Sequence, residues 1–232
     1  MKRFLSIIFA LIISGNLYAT EPLAQYKEAL TLIEQGKRME ARRLLKELTV
    51  KYTDWGLFYL EYAANCIYIE CPEDEISENL IKAEGLLIDN PRFYFYKGLF
   101  LEGKKPDEAL KLYDKAIALR PAYTDALIRA CSIYADKGDF KSAISYYESI
   151  PVEMRSSTLI LKIINLLSEN KEYMRAEKEI LGLVNNHPEN ELYLTKLREF
   201  YQKTGQKEKE RKIADRIKRL FPNSKKYMRP LK

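Results

Sequence analysis

The sequence predicts an all-α fold, a right-handed α-solenoid of about six helix-turn-helix repeats. Three observations carry this prediction. Glycine and proline are sparse, with nine of each in 232 residues, as expected for helices joined by short turns. Alternating runs of β-branched residues, which would indicate strands, are absent. Small and apolar residues recur at an interval of 33 or 34 residues, and a fixed interval of this size is typical of stacked helical repeats.

The N-terminus has the layout of an export signal. Lys2 and Arg3 give a positive start, residues 4–13 are almost entirely apolar, and a short segment then leads to the small residue Ala19. This pattern predicts a signal peptide over residues 1–19, and therefore an exported protein that is periplasmic or associated with the envelope. The alternative is a retained membrane anchor, although the apolar run is shorter than the roughly 20 residues that span a bilayer.

The charge of the chain is mildly basic. Loss of Lys2 and Arg3 with the signal peptide lowers the formal net charge from +6 to +4. A surface that binds nucleic acid normally has a denser basic face, so no nucleic-acid partner is expected. Residues 223–232 are interpreted as a basic, flexible tail. A membrane contact is expected only if the N-terminal segment is retained.

The three cysteines are Cys66, Cys71 and Cys131. Their odd number leaves at least one thiol free. A disulfide between Cys66 and Cys71 needs a helix end between them, because the Cα atoms of a disulfide lie about 4.4–6.8 Å apart. Pro72 is compatible with such an ending, since the residue before a proline is disfavoured in helical geometry. The sequence leaves both the thiol and the disulfide state open, and Cys131 is interpreted as a small apolar core residue.

One segment displays the repeat most clearly. Pro106 opens a helix, where its missing N–H costs nothing. Ala109, Tyr113 and Ala116 then share one helical face, and Pro121 ends the helix.

This order of small, aromatic, small and proline positions resembles the tetratricopeptide repeat. The interval from Ala109 to Ala143 is 34 residues, that from Ala143 to Ala176 is 33, and that from Pro188 to Pro222 is again 34. The resemblance implies a repeat domain over residues 20–222, with repeats at approximately 22–54, 55–91, 92–121, 122–155, 156–188 and 189–222.

In this family the first helix of each repeat lines a groove, and its second, fifth, ninth and twelfth positions tend to face a ligand. The resemblance therefore implies a groove that is apolar and aromatic toward the N-terminal half and polar toward the C-terminal half. It assigns eight partner-binding residues: Tyr26, Asn65, Phe95, Leu99, Ile128, Ser132, Leu161 and Asn165.

Residues 93–96 are four consecutive aromatic residues. Successive side chains are about 100° apart around a helix axis, so at least one of the four should face the groove or solvent. We expect this residue to be Phe95 and to act as a binding anchor, because exposed aromatic residues often carry binding energy.

Sequence signals for catalysis are weak. The only histidine, His187, precedes Pro188 at the expected end of a helix. Glycine-rich phosphate loops, a nucleophile elbow and a His-Glu-x-x-His motif are absent. The acidic run at residues 73–75 is interpreted as a helix start, where acidic residues are stabilising, and not as a metal site.

The sequence therefore predicts a protein that is not an enzyme and that uses no cofactor or metal. Its predicted function is that of a scaffold, which holds a peptide or helix of another component of an envelope complex. Three alternatives stay open. They are a membrane-anchored assembly factor with an uncleaved N-terminal helix, an enzyme of unrecognised type and a self-assembling protein.

Overall fold

A computed structural model describes residues 21–222 of the chain. The predicted signal peptide, residues 1–19, and the predicted tail, residues 223–232, lie outside the described residues. Within them the chain forms twelve α-helices and one short 3-10 helix, Val152–Met154, and no strand. The predicted all-α helical-repeat class is confirmed. No helix in residues 21–222 combines the length and the apolar character needed to cross a membrane.

The helices belong to two compact units. Unit 1 extends to Pro121 and contains α1 (21–34), α2 (Arg38–Lys51), α3 (Gly56–Tyr68), α4 (Glu73–Glu84), α5 (Pro91–Leu101) and α6 (Pro106–Leu119). Unit 2 begins at Ala122 and contains α7 (Thr124–Asp136), α8 (Phe140–Glu148), α9 (Ser157–Glu169), α10 (Tyr173–Asn186), α11 (Glu191–Lys203) and α12 (Lys207–Leu220).

Local sequence explains where several helices begin. Four helices have a capping side chain that accepts a hydrogen bond from an amide in the first turn, namely Asn90, Asp139, Ser156 and Asn190. Pro91 and Pro106 occupy the first helical positions of α5 and α6. The acidic run that starts at Glu73 forms the first turn of α4, as predicted.

Five of the turns within helix pairs contain a left-handed residue. Gly36, Gly138 and Gly205 have φ angles of 77°, 75° and 72°. Glu70, in the turn between α3 and α4, has a φ of 55°, and Lys171, in the turn between α9 and α10, has a φ of 61°. Glycine adopts this conformation without the steric penalty that a Cβ atom imposes. Three of these five sharp reversals therefore use glycine.

Small residues let the paired helices of unit 1 approach each other. Ala29 on α1 and Ala41 on α2 are fully buried. A Cβ atom added at Gly98 on α5 would lie 2.7 Å from the Tyr113 ring on α6, well inside van der Waals contact. Because Tyr113 is itself fully buried, this packing requires a residue without a side chain at position 98.

Unit 2 uses the same construction. Ala130, Ala143 and Ala176 are fully buried, and the Tyr147 side chain is also buried. Each helix from α7 to α12 packs against the next one along the chain. Cys131 is buried, and this burial raises the pKa of its thiol to about 11, in agreement with a packed apolar role.

Candidate binding site

A cavity of about 310 Å³ lies in unit 1 between α1, α3, α5 and the start of α2. Leu30 and Ile33 of α1 provide part of its apolar lining, and Tyr68 and Tyr96 provide aromatic rings. Its polar lining includes Arg38 at the start of α2. The side chains come from consecutive first helices of the helix pairs because these helices lie side by side, as the contact between α3 and α5 shows.

Glu61 forms the base of this cavity and is only 3% exposed. Its carboxylate accepts hydrogen bonds from the Tyr26 hydroxyl at 3.1 Å and from Nη2 of Arg92 at 3.0 Å, and Nη1 of Arg92 lies 2.5 Å from Oε1. A buried carboxylate is tolerated only when it is paired and hydrogen-bonded. Burial, followed by the negative charge of Glu61, raises the pKa of Tyr26 to about 12, so this hydroxyl remains a donor at neutral pH.

Arg38 and Asn65 form a second polar cluster at the same cavity. Nη1 of Arg38 donates to Oδ1 of Asn65 at 3.2 Å, and Nδ2 of Asn65 donates to the Arg38 backbone carbonyl at 2.9 Å. The Arg38 guanidinium stacks over the Tyr68 ring, 4.6 Å from its centroid, and the Tyr68 ring meets the edge of Tyr96 at 6.5 Å. Within residues 21–222, no carboxylate forms an ion pair with Arg38, so its charge is available to a ligand.

The structure places the predicted site residues of unit 1 in different surroundings. Asn65 lines the cavity and Tyr26 supports it through Glu61, as described above. Leu99 is half-buried on α5. Phe95 is only 5% exposed and packs against the rings of Tyr96 and Tyr113, so the prediction that it faces the groove or solvent is wrong.

The physical reason is the rotation of α5 about its own axis. Its close approach to α6 at Gly98 turns Phe95 toward Tyr113, and the next residue, Tyr96, reaches the cavity instead. The expectation that at least one of four consecutive aromatic residues is left partly exposed is met by Tyr96.

Unit 2 brings three of its four predicted residues to two further depressions. Ser132 and Asn165 line a cavity of about 320 Å³ between α7 and α9. Leu161 and Asn165 line a neighbouring depression of about 130 Å³ between α9 and α11. Ile128 is partly exposed on α7 and does not line either of them.

Sequence reasoning missed the charged half of the unit 1 site, namely Arg38, Glu61 and Arg92. Arg38 belongs to the second helix of its pair, whereas the ligand-facing positions implied by the family resemblance all lie on first helices. A signal for Glu61 was present, because it is the only charged residue in the otherwise apolar or small sequence of α3. A lone charge in such a helix must find a buried partner.

Features that would indicate chemistry are scarce in the described part of the chain. His187 caps the end of α10, and its ring contacts the Tyr193 ring at 5.7 Å. No group of three or more histidine, cysteine, aspartate or glutamate residues within 21–222 is arranged to hold a metal ion. The arrangement of the unit 1 cavity is suited to binding.

Comparison with known proteins agrees with the repeat pattern. Two tetratricopeptide-repeat family models match the chain, one over residues 100–162 and the other over residues 23–54. The chain therefore contains tetratricopeptide repeats in these two stretches. No curated protein sequence matches it.

Several solved structures share the fold. PilF from Pseudomonas aeruginosa superposes with a TM-score of 0.68 at 19% identity, over 89% of this chain and 94% of that one. PilW, described as a widely conserved type IV pilus biogenesis factor, gives 0.66 at 16% identity, over 88% and 95% of the two chains. YrrB, described as a tetratricopeptide-repeat protein with an unusual peptide-binding site, gives 0.62 at 13% identity, over 77% and 93%.

At identities this low, the three superpositions show a shared fold alone. Proteins of this repeat class are generally non-catalytic interaction scaffolds, because stacked helix pairs expose long surfaces for partners. The fold and the cavity therefore assign this chain to the class of protein-interaction scaffolds.

Proposed function

We propose that this protein is a non-catalytic scaffold of the bacterial envelope, which binds a peptide segment or helix of a partner protein in the unit 1 cavity. The observation that carries the proposal is Arg38. Its guanidinium lies in a cavity of about 310 Å³, is oriented by Asn65 and Tyr68, and has no ion-pair partner within residues 21–222.

The chemistry of the cavity favours an acidic residue in the partner. A carboxylate can accept two parallel hydrogen bonds from one guanidinium. Glu61 does not compete for Arg38, because it is already paired with Arg92. Glu34 at the rim is exposed, so solvent and salt screen its charge.

The same cavity favours apolar neighbours of that acidic residue. Tyr68 is 51% exposed, and Leu30 and Ile33 contribute apolar surface to the same cavity. Tyrosine and arginine are enriched among the residues that dominate binding energy at protein interfaces. The partner segment should therefore combine one acidic side chain with an apolar residue close to it in sequence.

In unit 2, Ser132, Leu161 and Asn165 form a second candidate surface for a partner. Ile128 on α7 remains a predicted partner contact outside these two depressions. The hydroxyl and amide groups of the candidate surface suit backbone or polar contacts better than charge recognition. Lys196 and Lys203, beside Leu161 and Asn165, are paired with Glu199 and Glu169.

The proposed envelope location rests on the signal-peptide pattern of residues 1–19. It accords with the type IV pilus role stated for PilW, a protein that shares only the fold. The alternative is an assembly factor that retains the N-terminal segment as a membrane anchor. The intact mass of the protein from its native cell distinguishes the two, since cleavage after Ala19 removes the mass of residues 1–19.

The binding proposal is tested with a defined probe. Peptides are selected on the purified chain from a random peptide library, and the affinity of the best one is measured by fluorescence anisotropy. We expect the selected peptides to share an acidic residue. Arg38→Met should weaken binding about tenfold or more, because a hydrogen bond to a charged group is worth about 1.5–3 kcal/mol.

Arg43→Met is the matched control, because Arg43 lies exposed on the same helix, α2, outside the cavity lining. It should leave the affinity of the peptide unchanged. Selected peptides without an acidic residue, together with equal affinities for the two variants, would refute the assignment of the site to Arg38.

A further inference from the structure

The end of α3 brings two cysteines together. Ile69 donates its amide to the Asn65 carbonyl at 3.2 Å, and Cys71 donates its amide to the Cys66 carbonyl at 3.0 Å. Glu70, between them, is left-handed with a φ of 55°. This is a helix-ending turn of the Schellman type, in which the side chains at the two ends of the longer hydrogen bond are usually in contact.

Cys66 and Cys71 occupy these two ends, and both are thiols in the structure. The backbone hydrogen bond holds their Cα atoms close together without any help from the side chains. The two side chains are also hydrogen-bonded to each other. A disulfide, which needs Cα atoms about 4.4–6.8 Å apart, would therefore join thiols that are already in contact.

The two thiols differ in accessibility. Cys66 is fully buried, whereas Cys71 is partly exposed. Burial, and next the neighbouring Cys71 side chain, raise the pKa of the Cys66 thiol to about 12. Because solvent reaches only Cys71 of the two, Cys71 is the thiol that meets an oxidant first.

A charged cluster lies next to the pair. Nη2 of Arg42 binds Glu75 at 2.7 Å, the Tyr62 hydroxyl also donates to Glu75, and Arg42 interacts electrostatically with both thiols. Nε of Arg42 is buried and has no hydrogen-bond partner within residues 21–222. Arg42 therefore places a positive charge close to both sulfur atoms.

We propose that Cys66 and Cys71 are a redox modification site, which a disulfide-bearing oxidant, either a small-molecule disulfide or a thiol oxidoreductase, converts into an intramolecular disulfide. Deprotonated Cys71 attacks one sulfur of the oxidant, forms a mixed disulfide and releases one thiolate of the oxidant. Cys66 then loses its proton, attacks Sγ of Cys71 and releases the second thiolate. Two cysteine thiols are oxidised, and one disulfide is reduced to two thiols.

The crosslink would act on the end of α3 that borders the unit 1 cavity. The closed loop of residues 66–71 contains Tyr68, the ring on which Arg38 stacks, and Asn65 directly precedes it. The disulfide restricts the unfolded chain and thereby stabilises the folded one. Formation of the disulfide does not depend on the proposed binding function.

The test uses the full chain, reduced with dithiothreitol, desalted and incubated with excess oxidised glutathione. Intact mass should fall by two hydrogen masses, and peptide mapping should locate a single disulfide at Cys66–Cys71. Cys131 should stay a thiol, because it is buried in unit 2. The oxidised chain should melt about 5 °C higher than the reduced chain, the shift expected for a short closed loop.

Two variants examine the order of the steps, and a third is their control. Cys66→Ser should stop the reaction at the mixed disulfide, so that Cys71 carries one glutathione. Cys71→Ser should leave Cys66 unmodified, and Cys131→Ser should form the disulfide as the parent chain does. Circular dichroism of each variant checks that the helical fold is kept.

Three results would overturn the proposal. The first is a parent chain that keeps both thiols free under excess oxidised glutathione. The second is a parent chain that stops at the mixed disulfide on Cys71, since Cys66 would then be unable to reach it. The third is a disulfide that maps to Cys131.

Discussion

Replacement of Gly98 by alanine tests how closely α5 and α6 pack. The added Cβ atom would lie 2.7 Å from Cε1 and 3.0 Å from Cδ1 of Tyr113. The Tyr113 ring cannot easily move away, because it is fully buried, contacts the Phe95 ring and donates its hydroxyl to Glu102. The variant must therefore separate the two helices or strain the ring.

The expected loss of stability follows from two opposing effects. Overpacking a well-packed core costs about 1–3 kcal/mol. Alanine in a helix interior recovers about 0.5–1 kcal/mol relative to glycine. The net effect of Gly98→Ala should be a loss of roughly 1–2 kcal/mol, which for a chain of this size lowers the melting temperature by roughly 2–8 °C.

Gly182→Ala provides the matched control. Gly182 lies within α10 on an exposed face, and a Cβ atom there would meet nothing within 4 Å. This variant should gain about 0.4–1 kcal/mol, because only the backbone effect of the substitution applies.

Both variants are compared with the parent chain by thermal and urea unfolding, followed by far-UV circular dichroism. Opposite signs for Gly98→Ala and Gly182→Ala are expected. If Gly98→Ala stabilises the chain as much as Gly182→Ala does, then Tyr113 yields without cost, and the argument for a required glycine is refuted.

Three further predictions concern charge and thiol chemistry. Glu61→Gln leaves Arg92 without its carboxylate and should cost about 1–3 kcal/mol, and adding Arg92→Met should recover part of that loss in a double-mutant cycle; additive effects would show that the two side chains are not coupled. The side-chain and then the backbone hydrogen bond from Ser142 hold the pKa of Asp139 below its ordinary value, so its stabilising effect should be present at neutral pH and be lost as pH falls through that lowered pKa. Asp139→Asn should remove this acid-range dependence in unfolding measured at stepped pH, and an unchanged pH profile would contradict it. Because burial raises the pKa of Cys131 to about 11, iodoacetamide at mildly alkaline pH should label Cys131 only after unfolding, whereas labelling in the native chain would contradict its packed role.

Much of the fold was predictable because its signals are local. The spacing from Ala109 to Ala143 and Ala176 reports positions where paired helices touch, and every member of this series is fully buried. Pro106 at a helix start and Gly138 at a turn act through their own backbone geometry, so their meaning does not depend on distant contacts. The acidic start of α4 belongs to the same group.

The candidate site was predictable only in part. The family register identified Asn65, which does line the unit 1 cavity, but it selected Phe95 where the structure exposes Tyr96. A shift of one residue rotates a helical side chain by about 100°, and the rotation of α5 is set by its contact with α6 at Gly98.

The sequence by itself therefore determined the helical-repeat class, the turns and the small residues at helix contacts, because each of these depends on neighbouring residues in the chain. Only the tertiary structure decided that Glu61 of α3 is paired with Arg92 of α5, and that Arg38 of α2 lies beside both without an ion-pair partner of its own in residues 21–222. These charges are separated by tens of residues in sequence. Their pairing follows from which helices lie side by side and how each is rotated, and packing of the whole unit sets both.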